Sequence, residues 1–167
     1  PNWNAADLGR GLINAASRDD EFFLNLVDGT LQIFRVGPTA TNALKRLLDI
    51  SGSVWTVAPD GQSLMKVVTD EAQATYQAAV SVADEAAKEL KEAWANGFGR
   101  NGDPSDAWEH AIKALEDVLI PVVMPNNGKA TLSHVIGELG GQQGAQWEMV
   151  LPGHDKTHDV APLVAML

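Results

Sequence analysis

The sequence predicts a mainly α-helical fold: a helical bundle with one small β-hairpin and an N-terminal helical leader. Between Asp103 and Val123, apolar residues recur at three- and four-residue steps, as they do on one face of a helix. The segment from Thr69 to Trp94 is rich in alanine, glutamate and lysine, a composition that also favours helix. Residues 54–68 instead contain short runs of strand-forming residues. The apolar stripe of the central helix consists of Trp108, Ala111, Ile112, Leu115, Val118, Leu119 and Val122.

Composition narrows the classes of function. The 167 residues include 22 acidic and 12 basic side chains, so the formal net charge is -10 and binding to phosphate backbones would need a local basic pocket. The absence of cysteine excludes disulfides, thiolate catalysis and cysteine-ligated zinc, and it agrees with a reducing compartment. The sequence has neither an apolar run near the roughly 20 residues of a membrane span nor the start of a signal peptide. We therefore expect a cytoplasmic protein that does not contact a membrane.

Residues 1–52 are predicted to form an N-terminal subdomain of three helices. The first starts at Asn4 or Asp7, and the second is capped by Asp19 or Asp20. Gly37-Pro38 breaks the chain, and the third helix starts at Thr39 or Thr41. The predicted inner face of the first helix consists of Leu8, Leu12, Ile13 and Ala16.

The middle of the chain predicts a hairpin and a long helix. Residues 54–57 and 64–68 are the two strands, joined by the Pro59-Asp60-Gly61 turn. Thr69 caps the following helix, which runs to Trp94 and is expected to break near Ser81. A glycine-rich connection over residues 96–102 leads into the central helix.

The central helix is expected to be a core helix. Asp103 is its N-cap and Pro104 its first residue. Pro121 and Pro125 should end it between Leu119 and Met124, because a proline inside a helix costs about 3 kcal/mol. We expect four of its side chains to be buried, those of Trp108, Ile112, Leu115 and Leu119.

After a turn over residues 126–128, a second helix from Thr131 to Leu139 should fold back. A last helix, capped by Asp159, reaches Leu167 without the residues that usually end a helix. We therefore expect that the domain continues beyond residue 167.

Two glycine-containing segments resemble nucleotide-binding loops only in part. Gly97, Gly99 and Gly102 have the spacing of a dinucleotide loop, but a helix precedes them where that loop requires a strand. The segment from Gly128 to Thr131 has the wrong residue, Val123, where a P-loop has its first glycine. The sequence thus predicts no nucleotide and no other cofactor.

Histidines are the candidates for acid–base or metal chemistry. His110 is expected on the polar face of the central helix, and His134 at the edge of the core. His154 and His158 are the weak catalytic candidates; their spacing of four residues would suit a metal on a helix, but Pro152-Gly153 indicates a loop and no third ligand is evident. The sequence therefore predicts no metal site.

Four features occur together in the segment DPSDAWEHAIKALEDVLIPVVMPNNGKATLSHVIGEL: an acidic-Pro-Ser start, the AIKALE core, the Pro-Asn-Asn turn and the ATLSHVIGEL helix. With these features, residues 53–167 resemble the C-terminal domain of bacterial abortive-infection proteins. ELKEAWANGFGR precedes this segment, and LPGHDKTHDVAPLVAML fits the approach to the end of that domain. The resemblance implies a helical relative of the HEPN superfamily, with a function in phage defence and toxin–antitoxin systems.

HEPN ribonucleases resemble one another in an arginine followed four to six residues later by a histidine. No arginine of this chain has a histidine at that spacing, since Arg100 and His110 are too far apart and no arginine follows Arg100. No catalytic residue of the family is therefore carried over.

Two functions stay open. One is a helical interaction or assembly domain that forms a homo-oligomer, such as a dimer, or binds another protein. The other is the body of a ribonuclease toxin whose Arg/His motif lies beyond residue 167, with RNA as a partner only if the full-length chain supplies a basic site.

Overall fold

The computed structural model describes residues 4–141, 146–149 and 157–167, and over these ranges it is mainly helical with one two-stranded antiparallel sheet. The predicted fold class is confirmed. None of the helices in these ranges combines the length and apolar character needed to cross a membrane. The elements are α1 (Ala5–Ala16), α2 (Asp20–Ile33), α3 (Pro38–Ile50), β1 (Trp55–Val57), β2 (Leu64–Lys66), α4 (Asp70–Ala79), α5 (Glu85–Phe98), α6 (Pro104–Val123), α7 (Leu132–Gly140) and α8 (Ala161–Val164).

The chain forms two compact units. The first comprises the residues up to Ala74 together with Asn96–Gly102, and the second comprises Thr75–Ala95 together with the residues from Asp103 onward. The hairpin thus packs with the N-terminal helices. The family domain predicted to begin at residue 53 stays a prediction.

Short polar side chains start the helices of the first unit. The Asn4 side chain accepts a hydrogen bond from the Asp7 N–H, and the Asp19 carboxylate accepts one from the Phe22 N–H, so the first of each pair of predicted caps is correct. The third helix starts earlier than predicted, at Pro38 with Gly37 as its N-cap, because proline is well suited to the first helical position.

The core of the first unit lies between α2, α3 and the hairpin. Leu31, Leu48, Val57 and Leu64 form its buried cluster. The hairpin has the predicted turn, with Thr56 opposite Met65. The predicted inner face of α1 is wrong for two of its four residues: Ala16 is buried and Leu12 half-buried, but Leu8 and Ile13 are 56% and 67% exposed. The helical period shows which face of a helix is apolar, but it does not show whether another element packs against that face.

The expected break near Ser81 separates α4 from α5. α4 ends at Ala79, and the Asp84 carboxylate accepts a hydrogen bond from the Ala87 N–H at the start of α5. Within the second unit, the rings of Tyr76 and Trp94 stack with their centroids 4.2 Å apart. α5 continues four residues past Trp94 to Phe98, so Gly97 is helical.

The predicted burial of α6 is wrong for two of its four residues. Trp108 is 72% exposed and Leu115 is 38% exposed, while Ile112 and Leu119 are half-buried. α6 packs against α7, where the Glu116 carboxylate accepts a hydrogen bond from the Leu132 N–H at 2.7 Å. α7 covers one edge of the wide apolar stripe, and in the described part of the chain the other edge stays in contact with solvent.

The end of α6 agrees with the prediction. The helix runs through Pro121, finishes at Val123, and closes with a hydrogen bond from the Met124 N–H to the Ile120 carbonyl oxygen. A turn over residues 124–130 leads to α7, where Thr131 and His134 form a capping box. Buried residues of α7 and the loop before α8 form the core here, namely Leu132, Val135, Leu139 and Val160.

Candidate functional site

Of the two weak catalytic candidates, only His158 lies in the described part of the chain. His154 lies outside the described residues. His158 pairs with Met149: its Nδ1 lies 2.5 Å from the Met149 carbonyl oxygen, and its own carbonyl oxygen accepts the Met149 N–H at 2.8 Å. Because a carbonyl oxygen only accepts, the Nδ1 atom of His158 carries the proton. These contacts lie next to an isolated β-bridge between Glu148 and Asp159, and the catalytic role of His158 stays a prediction.

The other two described histidines are engaged as well. His134 Nδ1 accepts the Thr131 N–H at 3.1 Å within the capping box. The side chain of His110, predicted on the polar face of α6, is only 27% exposed, and its Nδ1 lies 2.6 Å from Glu89 Oε2 on α5. This hydrogen bond from His110 lowers the pKa of Glu89, and burial of the carboxylate partly opposes the shift. In residues 4–141, 146–149 and 157–167, no group of three or more histidine or acidic side chains is arranged to hold a metal ion.

The glycine-rich connection binds the hairpin of the first unit. Gly99 forms a β-bridge with Met65, and the Arg100 N–H donates to the Leu64 carbonyl oxygen at 3.1 Å. A Cβ atom at Gly102 would lie 2.1 Å from the Asn96 carbonyl oxygen, so this close approach requires glycine. The glycines therefore have a structural explanation that involves no phosphate.

Sequence reasoning missed Arg100. Its side chain is 7% exposed, forms a 2.6 Å ion pair with Glu21 and lies 4.8 Å from the centre of the Trp55 ring. The sequence feature that could have pointed to Arg100 is its position as a lone arginine inside a glycine-rich segment. Through these contacts, the Arg100 guanidinium links α2, the hairpin and the glycine-rich connection.

No protein-family model matches the chain, and no curated protein or solved structure does so significantly. The geometry of the described residues is therefore the basis for identifying a site.

Exposed apolar side chains line one side of α6. We define the α6 surface as the exposed side chains Trp108, Leu115, Val118 and Val122, which are 72%, 38%, 54% and 61% exposed. Steps of seven, three and four residues place them along one side of the helix over about 21 Å, at 1.5 Å per residue. Contiguous exposed apolar side chains of this kind mark interaction sites in soluble proteins.

An apolar groove borders the α6 surface inside the second unit. Its volume is about 430 Å³, and it lies between α6, α7 and the last residues of the chain. Its walls are formed largely by Trp108, Ile112, Leu115, Leu132, Ile136 and Met166. The groove extends the apolar area of the α6 surface.

Charged residues of α6 lie away from this surface. Glu109 and Lys113 form the predicted i,i+4 ion pair, with a distance of 2.7 Å between Oε1 and Nζ. This contact lowers the pKa of Glu109 and raises that of Lys113. At 100° per residue, both side chains lie roughly opposite the α6 surface, which is therefore an uncharged strip on an acidic protein.

Proposed function

We propose that this chain is an interaction or assembly domain of the abortive-infection type in bacterial phage defence, and that it forms a homodimer through the α6 surface. The observation that carries the proposal is the exposure of Trp108 with three aliphatic side chains on the same side of one helix. Burial of a large apolar side chain contributes about 1.5–3 kcal/mol, so covering this strip would favour association. Tryptophan is also among the residues that contribute most to binding energy at protein interfaces.

The spacing of the strip suits a second copy of the same helix. Three residues of the α6 surface, Trp108, Leu115 and Val122, alternate along the helix with the half-buried Ile112 and Leu119 at steps of four and three residues, the spacing of a coiled-coil seam. In an antiparallel pair centred on Leu115, Trp108 of one copy lies opposite Val122 of the other. A large ring then faces a small side chain at both ends. Such an interface is isologous, as expected for a dimer with twofold symmetry.

The net charge affects the proposed dimer in a way that can be measured. Two chains of charge -10 repel each other at long range, and salt screens that repulsion beyond about 10 Å at 0.1 M. The strip itself contains no charged residue, so added salt removes no attraction at the contact. Association should therefore become stronger as the NaCl concentration rises.

The test is the oligomeric state of the purified chain, measured by sedimentation velocity. We expect a dimer for the unmodified chain and a monomer for Val118→Lys, which places a charge in the strip. Val82→Lys is the matched control, because Val82 is 61% exposed, similar to Val118 at 54%, and lies outside α6 between α4 and α5. A monomeric parent chain, or a dimer unaffected by Val118→Lys, would contradict the proposal.

The resemblance of residues 53–167 to abortive-infection proteins supports the proposed role in phage defence and the cytoplasmic location. The role in phage defence has a separate test. Bacteria expressing the parent chain or the Val82→Lys control should form fewer phage plaques than bacteria expressing Val118→Lys. If the parent chain is a dimer but gives no protection, the proposed role in phage defence is wrong, whereas the proposed dimer interface is retained.

A further inference from the structure

Three asparagines of the chain, Asn96, Asn101 and Asn127, are each followed by glycine. In this dipeptide the asparagine side chain is easily attacked by the next backbone nitrogen, because glycine has no Cβ to shield that nitrogen. The attack closes a cyclic imide and expels the side-chain amide. It requires that the nitrogen and the amide are not held by other contacts, so the three dipeptides can be compared within one molecule.

A helix holds the first of the three dipeptides. Asn96 and Gly97 both lie in α5, which ends at Phe98. Each N–H inside an α-helix donates to the carbonyl oxygen four residues earlier, and at the C-terminal end of a helix the groups without partners are carbonyls, not N–H groups. The Gly97 nitrogen therefore cannot turn toward the Asn96 side chain unless the end of α5 unwinds.

A buried carboxylate and close packing hold the second dipeptide. Asn101 Nδ2 donates to Asp28 Oδ2 at 3.0 Å, and Asp28 is 1% exposed. The Gly102 N–H donates to the Gly99 carbonyl oxygen at 3.4 Å. A Cβ atom at Gly102 would lie 2.1 Å from the Asn96 carbonyl oxygen, so the backbone has little room to turn. Both the amide that must leave and the nitrogen that must attack are thus engaged.

The third dipeptide lies in the turn between α6 and α7, where the reacting groups are not engaged. Within the described ranges, the exposed Gly128 forms no hydrogen bond through its N–H, and Asn127 Nδ2 donates none. The Asn127 side-chain oxygen accepts the Lys129 N–H at 3.1 Å. Negative charge develops on this oxygen when a nitrogen attacks the adjacent carbon, and a backbone donor already aimed at the oxygen stabilises that charge.

We propose that Asn127 is a site of spontaneous deamidation, at which water replaces the side-chain amide by a carboxylate. The Gly128 nitrogen gives up its proton to solvent and attacks Asn127 Cγ. The new N–Cγ bond closes the cyclic imide, the Cγ–Nδ2 bond breaks, and Nδ2 takes up a proton and leaves as ammonia. Water then opens the ring. Breaking the N–Cγ bond gives aspartate, and breaking the backbone C–N bond gives isoaspartate.

The modification changes the connection between two packed helices of the second unit. α6 packs against α7, and the Glu116 carboxylate accepts the Leu132 N–H at 2.7 Å. Isoaspartate carries the main chain through Cβ and Cγ and so lengthens this connection by a carbon atom, and both products add a negative charge. Because the reaction needs no enzyme and water does not reverse it, the modified fraction increases with the age of the molecule. The site is independent of the proposed dimer, since neither Asn127 nor Gly128 belongs to the α6 surface.

The experiment is incubation of the full chain in mildly alkaline buffer, followed by trypsin digestion and mass spectrometry. Trypsin cuts after lysine and arginine, so the peptides 92–100, 101–113 and 114–129 contain one Asn-Gly dipeptide each. We expect Asn127 to be converted at least about tenfold faster than Asn101, because Asn101 must first break a hydrogen bond to a charged group. Asn96 should also be converted more slowly than Asn127. Asn126 lies in the same peptide and should stay intact, because the Asn127 N–H donates to the Met124 carbonyl oxygen at 3.0 Å.

Two controls separate the effect of the fold from that of the dipeptide. Urea removes the contacts that hold Asn96 and Asn101, so in the unfolded chain the three rates should become similar. Gly128→Ala retains Asn127, and nothing lies within 4 Å of the added Cβ, so the variant should fold; the Cβ crowds the attacking nitrogen and should slow conversion severalfold. The proposal would be overturned by an unconverted Asn127, by equal rates at the three sites of the folded chain, by a tenfold difference that persists in urea, or by an unchanged rate in Gly128→Ala.

Discussion

The His110 imidazole on α6 lies 2.6 Å from the Glu89 carboxylate on α5, a partly buried pair that bridges two helices of the second unit. The hydrogen bond from His110 lowers the pKa of Glu89 below its ordinary value of 4.5. A carboxylate with a lowered pKa in the folded state stabilises that state above its ordinary pKa. The contribution is lost as the pH falls through the lowered pKa.

Glu89→Gln should therefore reduce the acid sensitivity of the fold. We expect the thermal midpoint of the parent chain to fall more steeply than that of Glu89→Gln as the pH decreases below about 4.5. The control is Glu85→Gln on the same helix, since the 3.3 Å pair of Glu85 with Lys88 is highly exposed and contributes little. Parallel curves for the parent and Glu89→Gln would contradict this prediction.

Asp28 should be among the most important side chains for stability. It is 1% exposed, and its carboxylate accepts hydrogen bonds from the Leu64 N–H at 2.6 Å and from the Gln32 and Asn101 amides. Asp28→Ala leaves three donors without an acceptor, so we expect a loss of about 3 kcal/mol in the free energy of unfolding. Urea denaturation of the parent chain and of Asp28→Ala measures this loss.

The control for Asp28→Ala is Asp117→Ala, a change at an exposed position of α6. Its effect should stay within about 0.5 kcal/mol, as is usual at the surface. A loss below 1 kcal/mol for Asp28→Ala would show that water or other groups take over the role of the carboxylate.

Two glycine-to-alanine substitutions should have opposite signs. The Cβ of Gly102→Ala would lie 2.1 Å from the Asn96 carbonyl oxygen, so the backbone must shift and we expect a loss of about 1–3 kcal/mol. Gly29 lies within α2 with nothing within 4 Å of an added Cβ, and Gly29→Ala should raise stability by about 0.5–1 kcal/mol. Chemical denaturation of the two variants gives both values, and equal signs would disprove the explanation.

The chain is not expected to cleave RNA by itself. Cleavage through the 2′-hydroxyl needs a base and a cation beside the phosphate, and the net charge of -10 repels a polyanion. Labelled single-stranded RNA should stay intact on a gel, with or without divalent metal. The control is the double variant His154→Ala/His158→Ala; cleavage by the parent that vanishes in this variant would make the loop an active site.

Local features of this fold were readable from the sequence, because their causes are local. Asn4, Asp19 and Asp103 cap helices through contacts within three residues, and the Pro-Asp-Gly turn closes a hairpin of short strands. The end of α6 before Pro125 follows from the geometry of proline itself.

Features that depend on distant residues were not predictable in this way. Asp28 reaches the Leu64 N–H across 36 positions, and Arg100 reaches Asn25 across 75. Trp108 was expected in a core because helical period shows which side of α6 is apolar, whereas its exposure depends on how far α7 extends over that side. For the same reason, a helix with four exposed apolar side chains was predicted to be a core helix.

The stacked rings of Tyr76 and Trp94 give the protein an internal optical reporter. Tyr76 is the sole tyrosine of the chain, and its ring centroid lies 4.2 Å from that of Trp94. Light absorbed by this tyrosine should pass to the indole as long as the two rings stay stacked. Separate emission from tyrosine should then mark the moment at which the stack opens, without any label attached to the chain.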